Sequence, residues 1–169
     1  MSLTDAISGD LQAMAGSVNR EQQEAAAVDH AVEQIAARAV ASGFAGIAVG
    51  LTRVREVVGQ VRARLTAVGG VLGEASRSVS AAPQQPSPQE AITALTPVVA
   101  ALAAVDAGVS AAASGVEEAR RLVAAALQGG QPGPTVSRLQ QVSQSLAEVR
   151  ARGVGARRSR PLTWCRSPA

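Results

Sequence analysis

Residues 44–79 read FAGIAVGLTRVREVVGQVRARLTAVGGVLGEASRSV. In this stretch Phe44, Ile47, Leu51, Val54, Val58, Val61, Leu65, Val68, Leu72, Ala75 and Val79 step by three and four without a miss. A helix turns once per 3.6 residues, so such steps place every one of these side chains on a single face. A half-buried strand would alternate every two residues instead. The stretch is therefore a long helix with a heptad seam.

Upstream, Leu3 to Ala41 shows the same spacing at Ile7, Leu11, Met14, Val18, Ala25, Val28, Val32, Ile35 and Ala39. Ser2 is a plausible N-cap, with Asp5 three residues on. Glu21 interrupts the series inside the polar patch Asn19-Arg20-Glu21-Gln22-Gln23-Glu24. Ser42-Gly43 ends the segment, because glycine accepts the left-handed conformation at a helix terminus. Gly43, Gly46 and Gly50 cluster where the two helices meet, which predicts a tight, close-packed hairpin over 1–79.

Downstream, residues 80–89 (SAAPQQPSPQ) form a Pro-rich linker. Ser87 is an N-cap, with Pro88 at the first helical position and Glu90 completing a capping box. A second helical region over 88–152 follows. Its first helix carries Leu95, Val98, Leu102, Val105, Val109, Ala112, Val116, Ala119, Val123 and Ala126, and runs to about Gln128. Pro97 should kink or break its first turns. Gly129 to Pro134 breaks the region. A shorter helix, capped by Thr135 or Ser137 and ending at Gly153, carries Leu139, Val142, Leu146 and Val149 on one face. The tail 153–169 has no period and reads as disordered. Its composition departs so abruptly from the body that an out-of-frame reading, in a gene that once continued, would account for it.

Of the 169 residues 47% are hydrophobic but only 1% aromatic. There is no Lys and no Tyr, with one His and one Cys, so Schiff-base and tyrosine-acid chemistry are excluded. Arg without Lys, with abundant Ala, Gly and Val, suggests GC-rich bacterial coding. The net charge of +3 hides a division. Residues 1–152 hold 12 Arg against 13 acids, whereas 153–169 hold Arg157, Arg158, Arg160 and Arg166 with no acid. The body is not basic, so the pattern does not predict nucleic-acid binding beyond a weak, salt-sensitive tail contact. The most apolar stretch, Val98 to Ala113, is interrupted by Asp106 and too short to span a bilayer.

His30 lies on the far side of its helix from the seam, with no second ligand near, and reads as an exposed, inert side chain. Cys165 lacks a base held beside it. Glu117-Glu118 with Arg120-Arg121 has the spacing of ordinary helix-surface ion pairs. No catalytic residue, cofactor site or metal site is expected. The informative feature is the seam. Phe44, Ile47, Leu51, Val54, Val58, Val61 and Leu65 form the candidate partner interface, although the third and fourth helices could cover the same surface from within the chain.

Two long helices joined at Phe44-Ala45-Gly46 resemble the WXG-type hairpins of the type VII (ESX) secretion system, Phe standing for the Trp of the turn. The helical region around ARRLVAAALQG at 119–129, followed by a Gly/Pro break, resembles the helical leader of actinobacterial polymorphic toxins; no toxin domain follows. The resemblance implies an all-α hairpin, a hairpin turn at Gly43, Phe44 and Gly46, and pairing as a homo- or hetero-dimer with another helical hairpin. It also implies secretion by the type VII system. That family's export signal begins with a Tyr after the second helix. This chain has none, so export implies a partner that carries the signal. The alternative is a cytoplasmic coiled-coil scaffold unrelated to secretion. The expected fold is all-α: a long antiparallel hairpin, then a second, shorter helical pair.

Overall fold

The computed structural model describes residues 3–81, 88–128 and 133–158. They form four helices: α1 (Leu3–Ala41), α2 (Ala45–Ser80), α3 (Pro88–Ala126) and α4 (Gly133–Arg158). Each helix packs on two others, in the ring α1–α2–α3–α4 and back to α1. The fold is all-α, as the spacing dictates, and the two helical pairs that the sequence leaves unassigned relative to one another share one core.

The register of the ring is legible in a few contacts. On the α2–α3 seam, Gly50 meets Ala126, Val61 meets Gly115 and Val68 meets Gly108. The α3 number falls as fast as the α2 number rises, so the helices run antiparallel. On the α1–α2 seam Gln22 reaches Thr66 and Asp29 meets Arg55. On the α3–α4 seam Glu117 meets Ser143 and Asp106 meets Arg150. On the α1–α4 seam Met14 meets Gly153. Neighbours around the ring are thus antiparallel throughout, the up-down-up-down arrangement of a four-helix bundle.

The α1–α2 turn is a Schellman close. The Phe44 N–H donates to the Ala39 carbonyl at 2.8 Å and the Gly43 N–H to the Val40 carbonyl at 3.0 Å. Gly43 has φ 79°, the left-handed region where a Cβ would be strained. Gly46 and Gly50 do not serve this turn. Gly46 has open space around it, and Gly50 lies 3.0 Å, measured from where its Cβ would sit, from the Ala126 Cβ of α3.

The later boundaries differ from the sequence reading. Pro97 lies inside α3 without ending it. Proline removes one backbone donor, but Val98, Leu102 and Val105 beyond it are buried, and their burial outweighs the lost bond. α4 begins at Gly133, ahead of the expected caps, with Pro134 in its first turn and Thr135 buried. It also continues through Gly153 to Arg158: Gly153 stays right-handed and lies beside the Met14 methyl of α1. The expected disordered tail therefore loses its first residues to α4. The rest of it, with Cys165, lies outside the described residues, as do the Ser87 cap and most of the Pro-rich linker.

The stretch Leu95–Ala126 of α3 is long and apolar enough to cross a membrane by length and composition, against the shorter span read from the sequence. The reason is its outer face, which is alanine rather than charge: no charged residue falls between Glu90 and Asp106. In the bundle its inner stripe, including Val98, Leu102, Val109, Val116 and Val123, is buried among the other helices.

Candidate functional site

The structure divides the predicted partner interface into two parts. Leu51, Val54, Val58, Val61 and Leu65 are buried in the common core. They are covered by helices of the same chain, as are the matching stripes of α1, α3 and α4. Ile47 is partly buried against that core. Phe44 is not: it is 60% exposed, beside Val40 at 63% and Val49 at 72%. These three surround the closed end of the α1–α2 hairpin. Phe44 caps α2 by backbone position alone, with no side-chain hydrogen bond. Nothing in the fold requires an aromatic ring there.

What lets α3 cover α2 is the absence of side chains at two points one heptad apart. A Cβ on Gly115 would lie 2.6 Å from the Val61 Cγ2, and one on Gly108 would collide with the Val68 Cγ2. Val61 and Val68 are also one heptad apart, so the two valines seat on the two glycines. Between them the Arg64 Nη1 donates to the Ala111 carbonyl at 2.8 Å, tying the register from the outside. Where alanine lines the core instead, packing is imperfect. A small void of about 10 Å³ lies among Ala25, Val58, Val61, Val116, Ala119, Leu139 and Val142.

Polar contacts stitch the other seams. Asp29 accepts from the Arg55 Nε at 3.2 Å and the Arg62 Nη1 at 3.5 Å, across α1–α2. The Glu117 carboxylate accepts two bonds from the Arg120 Nη1, at 2.9 and 3.0 Å, and one from the Ser143 Oγ at 2.9 Å. The Ser143 hydrogen bond, and then Arg120, hold the Glu117 carboxyl below its ordinary value. The charged cluster expected on one helix surface thus bridges two helices. It borders an open groove of about 480 Å³ between α3 and α4, floored by Val109, Ala113, Leu146 and Ala147.

His30 is exposed, with its Nε2 3.0 Å from the Gln34 Nε2 and its Nδ1 3.9 Å from the Glu33 carboxylate. Among the described residues, no group of three His, Cys, Asp or Glu side chains is placed to hold a metal ion. Glu21 is the residue the sequence reading misplaced. Rather than interrupting the seam it occupies it, with 3% of its surface exposed. The signal was available, since position 21 lies three residues after Val18 and four before Ala25.

Residues 86–162 match the model of a family of unknown function, DUF6244. The match begins just before α3 and takes in all of α4, leaving the α1–α2 hairpin outside it. No curated protein and no solved structure matches the chain.

Proposed function

We infer that this chain is a non-enzymatic helical interaction protein, a leader or substrate of the type VII secretion kind. In this reading its α3–α4 pair takes the place that a partner hairpin holds in a dimer of hairpins. One observation carries the reading: the α1–α2 seam is filled from within the chain, while the hairpin's closed end keeps Val40, Phe44 and Val49 exposed. Exposed aromatic side chains are favoured anchors in protein interfaces, since a ring buries much area at little entropic cost. Recognition by another chain then falls to the turn end rather than to the α2 seam.

The test is fractionation of the native host's culture, with and without the type VII ATPase. The protein in the supernatant only when the ATPase is present supports the reading. Equal retention in the cytosol of both strains overturns it in favour of a cytoplasmic scaffold. A Phe44→Ser variant adds the site: export that needs the ring fails in this variant while the folded bundle persists.

A further inference from the structure

Glu21 stands in the apolar stripe of α1, between Val18 and Ala25, both buried. Its side chain faces α4, where Ser145 hydrogen-bonds the carboxyl. The second oxygen, Oε2, is buried and has no hydrogen-bond partner. The charged groups acting on it are Arg20 and Glu24 of α1 and Glu148 of α4, two acids and one base. From α2 and α3 the buried residues that the register brings to this level are apolar, Leu65 and Val68, Val109 and Ala112. Thr66 lies at the same level against Gln22, and the nearby cations of α2, Arg62 and Arg64, bond Asp29 and the Ala111 carbonyl. A carboxylate with one hydroxyl donor and no buried cation is poorly placed to keep its charge.

We propose that Glu21 is a proton-operated latch on the α1–α4 seam: with the carboxyl neutral α4 closes on α1, and with the carboxyl charged the seam opens to water. The proposal is independent of any secretion role. Burial, the largest influence, pushes the Glu21 carboxyl above its ordinary value; the Ser145 hydrogen bond opposes this, and Glu24 adds to it. In the open seam the carboxyl returns to the ordinary glutamate value. The closed state therefore binds the proton more tightly than the open state. Closure is strongest below that ordinary value. It weakens as pH rises toward the closed-state value, and above it the penalty is constant. Within this window opening increases by up to about tenfold per pH unit.

Amide hydrogen exchange on the full chain, corrected for intrinsic rates, reads the opening helix by helix. In the parent protein, α4 amides around Leu146 and Val149 should show opening that grows with pH, by up to about tenfold per unit. Amides of α2 and α3 around Leu65 and Val109 should change less. Glu21→Gln keeps the shape and the Ser145 partner but cannot ionise, so its α4 opening should be pH-independent and lower at neutral pH. Ser145→Ala, which retains the carboxyl, should extend the upper end of the window to higher pH by removing a bond that favours the charge, while the lower end stays in place. Superimposable pH profiles for the parent and Glu21→Gln would overturn the latch. So would a pH effect spread equally over all four helices, which would make Glu21 a determinant of global stability only.

Discussion

The substitution Gly115→Ala adds a single carbon at one of the two points where α3 sits closest on α2. That carbon would sit 2.6 Å from the Val61 Cγ2, about 1 Å inside ordinary contact. Val61 cannot turn away easily, because a β-branched side chain in a helix has one strongly preferred χ1. Either α3 moves off α2 or Val61 leaves its rotamer. Overpacking of this kind costs about 1–3 kcal/mol. Replacing glycine by alanine inside a helix returns roughly 0.5–1 kcal/mol. The clash wins, and the expected net loss is about 1–2 kcal/mol. For a chain of this size that lowers Tm by roughly 2–8 °C.

Gly59 supplies the control. It lies in α2, and a Cβ there would meet nothing within 4 Å. Gly59→Ala should therefore stabilise by about 0.5–1 kcal/mol, the same chemical change with the opposite sign. The assay is urea unfolding followed by helical circular dichroism, completed as a double-mutant cycle with Val61→Ala. Val61→Ala alone opens a cavity and destabilises. In the Gly115→Ala background it also relieves the clash, so its cost should fall by about 1–2 kcal/mol. If Gly115→Ala stabilises as Gly59→Ala does, or if the cycle is additive, α2 and α3 are not seated on one another as described.

Leu51→Asp with Val58→Asp puts two charges into the shared core, and helical circular dichroism should show loss of the folded state rather than only a change of oligomer size. Phe44→Ser should change stability by less than about 0.5 kcal/mol in the same urea assay, since the ring is mostly in solvent. Glu117→Gln acts on the acid side. The Ser143 hydrogen bond, then Arg120, hold the folded Glu117 carboxyl low, so its contribution is present above the unfolded value and is lost as pH falls through the folded one. Unfolding curves taken from neutral pH downward should lose stability less steeply in Glu117→Gln than in the parent.

Both helices of the first hairpin were legible because their seams rest mostly on large side chains at steps of three and four, interrupted only at Glu21. The apolar pattern also gave the faces of α3 and α4 that enter the core. Three things were hidden, each for a physical reason. Glu21 was read by residue type rather than by position, and a lone acid on a seam contradicts the usual rule for burial. Gly153 was read as a stop, yet glycine takes the right-handed conformation as readily as the left-handed one, and here it continues α4. Gly108 and Gly115 carry no apolar signal of their own. Their meaning appears only beside Val68 and Val61, which lie forty or more residues away in the chain. The partner face posed the same difficulty, since a seam looks alike whether its cover comes from the same chain or another.

The central claim is that the cover comes from the same chain, and a designed cross-link reads it directly. A Cβ at Gly50 falls 3.0 Å from that of Ala126, so a separation of the two helices by about 0.5 Å brings the pair to disulfide spacing. In a Cys165→Ser background, Gly50→Cys with Ala126→Cys should oxidise in dilute solution to a closed monomer of 17.0 kDa on a non-reducing gel. Free thiols alone, or only a disulfide-linked dimer, would contradict the account.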